Sequence, residues 1–243
     1  MKKIILLMFL LFLLPVLSAC TKSDQQAVKN AEEILNVDSD GNTKFNESNL
    51  KTAINSVASS PLQNIEEDDL LFMVEEEKLA QDVYSFLNKK WSQQVFSNIG
   101  QSESTHVSAV RALLEKYNVS VPVSLSDGGV FVNKDLQKLY DDLTKQGSNS
   151  LIDALKVGAA VEEIDILDLE KRIAQTDKED IKLVYDNLMR GSRNHLRAFV
   201  RNMKNNGHNY QVQYLTAEAY IQIVNSDNEN GSGAQRGRRG QKN

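Results

Sequence analysis

Glu75-Glu76-Glu77-Lys78-Leu79-Ala80-Gln81-Asp82-Val83-Tyr84 is the stretch on which the reading of this chain turns. It lies within an apolar stripe of Leu70, Met73, Ala80, Val83, Tyr84 and Leu87, and that 3.6-residue spacing predicts one long helix. Asn64 is placed to cap it. Glu66, Glu67, Asp68 and Asp69 suit the positive end of the helix dipole, and Lys89-Lys90 suit the negative end. Glu77 stands three residues before Ala80 and seven before Tyr84, so the three share one face. A carboxylate on a buried stripe costs free energy unless a partner or a cation compensates it.

Three more long helices follow from the same period. The second runs from about Ile99 to Tyr117 with Val107, Val110, Leu113 and Leu114 on one face. The third begins at Ser148 or Ser150 and carries Leu151, Leu155, Gly158, Ala159, Glu162, Ile166 and Leu169. The fourth starts after Asp177 and carries Ile181, Val184, Tyr185, Leu188, Ser192, His195 and Phe199 before stopping at Gly207. Between the second and third lies a long connection. It holds Pro122, a Gly pair at 128–129 and a short helical pattern of Leu136, Leu139, Tyr140 and Leu143, opened by Asn133 and stopped by Gly147. Two helix pairs joined by a crossover that contains a short helix make an all-α, four-helix-bundle plan over residues 61–207. A short packing segment is expected over 208–225, with Tyr214 to Val224 as its helix.

Ionisable residues interrupt every one of the four stripes. Besides Glu77, the second helix offers Glu103-Ser-Thr-His106, whose i,i+3 spacing aims a carboxylate and an imidazole at one point. The third offers Glu162, with Glu163 beside it and Asp165 close by, and the fourth offers His195 with Ser192 before it. Singly, each of these favours a solvated helix face or a satisfied core histidine. Jointly that reading weakens, because two of only three histidines fall on inward stripes and one has a glutamate three residues before it.

At these residues the sequence resembles the ferritin-like di-metal carboxylate proteins, in which two helices each give a Glu and two each give a Glu-x-x-His. The resemblance implies Glu77, Glu103, His106, Glu162 and His195 as ligands, with Ser192 standing where the second pair's glutamate would be. Two divalent ions bring four positive charges against three negative from Glu77, Glu103 and Glu162; either Asp165 supplies the fourth carboxylate from the third helix, or the site holds one metal, or two with a water or substrate anion at the vacant position. Glu77, Ala80 and Tyr84 also look like the first-helix signature of rubrerythrin-type members. More closely, residues 75–84, Phe96-Ser-Asn-Ile99, Glu103-Ser-Thr-His106 and Gly191-Ser-Arg-Asn-His-Leu-Arg-Ala-Phe199 resemble the ferritin-like family catalogued as domain of unknown function 2202. That resemblance covers about Leu70 to Asn205 and implies a fold and a metal site, but no activity. A mixed carboxylate and imidazole shell suits iron or manganese. Tyr84 and Tyr185 are either hydrogen-bond donors to the carboxylates or ordinary core tyrosines.

The ends of the chain differ in kind from its middle. Overall the 243 residues are 41% hydrophobic and 25% charged with 3 Pro, a globular composition. Lys2-Lys3, an uncharged run from Ile4 to Leu17, and Ser18-Ala19-Cys20 form a leader over residues 1–19. The single cysteine cannot close an internal disulfide, and Leu17-Ser18-Ala19-Cys20 resembles the bacterial lipobox. Cys20 is thus the expected site of lipidation, giving an exported, extracytoplasmic protein held to the cell membrane or outer membrane by an N-terminal lipid anchor. Residues 20–60 read as a polar tether with one weak helix, and 226–243 as a disordered tail with a basic tip. Without the leader's two lysines, 33 acidic residues face 26 basic ones, which argues against a nucleic-acid partner. No nucleophile elbow, phosphate-binding glycine loop or CxxC pair is present. Two functions remain: a metal-dependent redox protein reacting with oxygen or peroxide, and a metal-free scaffold or binding lipoprotein. A lipid anchor disfavours a ferritin-type storage cage.

Overall fold

The computed structural model describes residues 34–229. The leader, Cys20, the first part of the expected tether and the tail from residue 230 lie outside the described residues. Four long helices dominate: α2 (Asn64–Trp91), α3 (Gln94–Lys116), α5 (Leu151–Ile173) and α6 (Glu179–Asn205). Helix α2 packs on α3 and α5 packs on α6, while α3 against α6 and α2 against α5 close the bundle. The crossover carries a 3-10 turn (Val123–Ser126) and α4 (Lys134–Gly147), which lies against α2 and α5. The all-α bundle expected from the periodicity is the architecture found.

Local chemistry sets the ends of these helices. Ser150 caps α5 by accepting from the Asp153 N–H, and Asn133 caps α4 by accepting from Asp135 and Leu136. The start of α2 differs from expectation. Gln63, not Asn64, is its N-cap, because Gln63 and Glu66 exchange side-chain and backbone hydrogen bonds in a capping box. Helix α2 ends at Ser92, whose φ of 52° turns the chain sharply into α3.

The core is divided. Leu70, Met73 and Val74 of α2 pack with Val110, Leu113 and Leu114 of α3 and with Ile181, Val184 and Leu188 of α6. Further along the bundle a second cluster joins Leu79, Val83 and Leu87 to Phe96, Ile99, Leu155, Leu196 and Phe199. Each fully buried Leu, Ile or Phe side chain contributes roughly 1.5–3 kcal/mol, so both clusters hold the helices together independently. Between them every long helix inserts polar residues: Glu75 to Lys78, Ser102 to His106, Glu162 to Asp165, and Ser192 to His195. The antiparallel run of α2 and α3 brings the first two stretches level.

Of the segment expected as a tether, the described part from residue 34 onward is largely folded. Strands β1 (Leu35–Val37) and β2 (Thr43–Phe45) form an antiparallel hairpin in which Val37 pairs with Thr43 and Leu35 with Phe45. Helix α1 (Glu47–Ser56) follows. Ile34, Leu35, Phe45, Leu50 and Ile54 are buried in the first core cluster, and that burial overrides the polar composition of the stretch. Lys116 pins α1 by donating to the carbonyls of Ile54 and Val57 and to Asp180. At the other end α7 (Ala217–Val224) packs on α6. Ser226 to Glu229, expected as part of a disordered tail, dock on α6 through Arg193 and Arg197, which both pair with Glu229. The basic stripe of the fourth helix is thus taken up by ion pairs and by the bond from Arg201 to the Asp40 carbonyl.

Candidate metal centre

The polar layer gathers Glu77 from α2, Glu103 and His106 from α3, Glu162 from α5 and His195 from α6. All five are at most 2% exposed. They form two triads of ligand atoms, Glu77 with Glu103 and His106, and Glu103 with Glu162 and His195. Glu103 belongs to both. Its Oε2 lies 2.8 Å from His106 Nδ1 and its Oε1 lies 2.8 Å from His195 Nδ1. Glu77 Oε2 is 3.1 Å from His106 Nδ1, and Glu162 Oε2 is 3.5 Å from His195 Nδ1.

Hydrogen bonding leaves part of this layer unsatisfied. Although Glu103 Oε1 and His195 Nδ1 are close, neither has a hydrogen-bond partner of acceptable geometry among the described residues, and Glu77 Oε1 has none there either. Buried carboxylates and imidazoles are almost always satisfied, and unfilled ones point to an ion or water between them. Ligand atoms at about 2.1 Å from one ion and at right angles to each other lie about 3.0 Å apart, close to the 2.8–3.5 Å between each histidine nitrogen and its carboxylate oxygens. The residues therefore fit a metal, as two half-sites sharing one carboxylate.

Charge follows the same pattern. Burial pushes the Glu103 carboxyl up, yet the two imidazoles against it outweigh burial and hold it below the usual carboxylate range. Burial lowers His195, but Glu103 and Glu162 raise it to about 9. His106 is likewise raised by Glu103 and Glu77 against the opposing effect of burial. Burial pushes Glu77 up to about 7 despite the pull of His106. Without a cation, then, the site binds protons in its place.

Asp165 lies outside both triads. Its Oδ2 contacts the Ser192 hydroxyl and its Oδ1 is buried with no partner. Burial first, then Glu77 and Glu76, raise its carboxyl well above the usual range. Tyr84 donates to Glu162 Oε1 at 2.5 Å, whereas the Tyr185 hydroxyl has no hydrogen-bond partner among the described residues. Of the acidic neighbours, Glu75 clamps the crossover by accepting from Ser124, Val132 and Asn133. Glu163 accepts from the backbone of Gln213, Tyr214 and Leu215.

Two functional features escaped the sequence reading. Thr43, in the expected tether, places its Oγ1 3.0 Å from His106 Nε2 and 3.0 Å from His195 Nε2. The two rings stack 5.3 Å apart above it. Gly191 is the second. A Cβ there would fall 2.6 Å from His106 Cε1, so only glycine lets α6 approach the ring this closely. Thr43 carried no signal, because a lone threonine among polar residues has no periodicity. Gly191 did carry one, in the string shared with the 2202 family.

The family model described as an uncharacterized protein domain, DUF2202, matches residues 66–227. The uncharacterized protein MJ0754 of the archaeon Methanocaldococcus jannaschii is 52% identical over 178 residues, 73% of this chain and 96% of the relative. The crystal structure of hypothetical protein MJ0754 superposes with a TM-score of 0.69 at 52% identity, covering 71% of this chain and 99% of that one. These findings correct the localisation. The relative is an archaeal protein matched over 96% of its length, and neither it nor its crystal structure supports a bacterial lipid anchor. No helix among the described residues is long and apolar enough to cross a membrane. On the archaeal relative and its crystal structure, the expectation of an exported, extracytoplasmic, lipid-anchored protein is withdrawn. What the chain shares with its relatives is the helical domain, and it belongs to the DUF2202 family.

Proposed function

We propose that the bundle is a ferritin-like di-metal carboxylate protein that holds two ions of iron or manganese and reacts with oxygen or peroxide. The observation that carries this reading is Glu103, buried at the centre with one oxygen directed to each histidine. Glu77 and His106 complete one half-site, Glu162 and His195 the other, and Asp165 beside Ser192 would supply the fourth negative charge once cations are bound. All donors are oxygen or imidazole nitrogen, a set that suits iron or manganese. Bound there, the ions would supply redox chemistry. The chain's own residues bind and orient: Tyr84 fixes Glu162 with its hydroxyl, and the two core clusters keep bulk water from the layer.

Ser192 and the raised histidines favour a second reading. A network whose imidazoles hold protons already balances its carboxylates, so a metal-free scaffold is chemically self-consistent. Metal analysis separates the two. The full chain, purified without a metal-affinity tag and loaded anaerobically with Fe(II) or Mn(II), is expected to bind two equivalents and to melt at a higher temperature than after chelation. No uptake and no shift in melting would establish the scaffold.

A further inference from the structure

We infer that Thr43 is a positioning residue for both halves of the centre, carried on a hairpin that closes over it. The inference rests on the metal-binding reading above. Both histidines turn Nδ1 toward the carboxylates and Nε2 toward Thr43 Oγ1, each at 3.0 Å. A neutral imidazole carries one N–H, and a hydroxyl oxygen has two lone pairs. With each Nδ1 acting as a ligand, each Nε2 keeps its proton, and both protons are donated into the one threonine oxygen. Metal-bound histidines generally need such an acceptor at the second nitrogen, because it fixes the tautomer and the ring orientation. Here a single side chain serves two of them.

The hairpin holds that oxygen in place from several sides. The Thr43 N–H donates to Ser102 Oγ on α3 at 3.0 Å, and strand pairing ties Thr43 to Val37. Phe45 meets the His106 ring edge-on at 5.6 Å. At the turn, Gly41 has φ +89°, and a Cβ there would lie 3.0 Å from the Asn194 carbonyl, so the turn is seated directly on α6 next to His195. Residues 34–45 precede the stretch matched by the family model, which begins at residue 66. A segment outside the matched domain therefore completes the surroundings of both histidines.

The test compares Thr43→Val, which keeps the shape and loses the hydroxyl, with Thr43→Ser and with Phe45→Leu, which loosens the hairpin but keeps the hydroxyl. Mn(II) affinity of the full chain is measured by calorimetry for each. Long-range proton–nitrogen spectra of the Zn(II)-loaded chain report which imidazole nitrogen carries the proton. Thr43→Val is expected to weaken both equivalents by about 10- to 100-fold, while Thr43→Ser stays within about 3-fold of the parent. In the spectra both histidines of the parent and of Thr43→Ser are protonated at Nε2, and Thr43→Val loses that uniform pattern. If Phe45→Leu weakens binding as much as Thr43→Val and Thr43→Ser does not rescue it, the hairpin acts by packing alone and the role of the hydroxyl is overturned. Parent-like affinity in Thr43→Val overturns it as well. A parent chain that takes up no metal overturns the metal reading itself, and this inference with it.

Discussion

The two halves of the centre share Glu103 and Thr43 but are built differently. In the Glu77 half, carboxylate and imidazole come from adjoining turns of α3, and Glu77 Oε1 is left with no partner, its carboxyl pushed up to about 7 by burial. In the Glu162 half, the ligand carboxylate is held by the Tyr84 hydroxyl, and the place three residues before His195 is a serine that leans on Asp165. One half follows the i,i+3 logic of a single helix. The other meets its serine with a carboxylate from the facing helix, which teaches that a four-helix bundle can bring a carboxylate into the same layer from either helix.

The largest effect is expected where the halves meet. Glu103→Gln keeps the volume but removes the only carboxylate directed to both histidines, leaving two buried imidazoles without their shared counter-charge. Both equivalents of Mn(II) should be lost together, with affinity down by at least about 100-fold. Circular dichroism should still report the helices, since two independent hydrophobic clusters hold them. Loss of only one equivalent would mean that the halves are not joined through Glu103, and the comparison above would collapse into two unrelated sites.

The displaced carboxylate gives the next effect. Asp165→Asn removes the charge opposite Ser192 and is expected to weaken binding by about ten-fold. Adding Ser192→Glu in that background restores the Glu-x-x-His spacing on α6 and should recover most of the loss. Titration of the parent, the single and the double variant with Mn(II) decides it. If Asp165→Asn binds normally, Asp165 takes no part in metal charge balance and the Glu162 half stands with one carboxylate fewer.

How much of this was legible in sequence depended on whether a residue's role repeats with the helix. The four stripes gave the bundle, and the residues interrupting them gave Glu77, Glu103, His106, Glu162 and His195. Periodicity could not divide the labour among neighbours, however. Glu75, Glu76 and Glu77 are successive residues rotated by about 100° from one another, and tertiary context alone sends Glu75 to the crossover loop and Glu77 to the centre. The hairpin was illegible for a different reason. Two three-residue strands alternate too briefly to register, and their fit is decided by contacts with α3 and α6 that lie far away in sequence. Composition marks 20–60 as polar and misses that Ile34, Leu35, Phe45, Leu50 and Ile54 are buried.

The smallest effect is expected from the difference in how the two terminal glutamates are held. Tyr84 is fully buried and its hydroxyl donates to Glu162 at 2.5 Å, a bond with no counterpart at Glu77. Tyr84→Phe deletes that donor without opening a cavity, so Phe96 and Phe199 should keep their packing against the ring. A buried carboxylate that loses one hydrogen bond is destabilised by about 1–3 kcal/mol. In the metal-loaded chain part of that loss is offset by the cation, so the binding defect should be modest, about three- to ten-fold. It should fall on one equivalent only. Calorimetric titration with Mn(II) resolves two steps if the halves are unequal, and Tyr84→Phe should bring them closer together by weakening the tighter one. If both steps weaken equally, Glu162 and Glu77 are coupled through Glu103 strongly enough that the two halves bind as one unit. The asymmetry in their hydrogen bonding would then have no thermodynamic consequence.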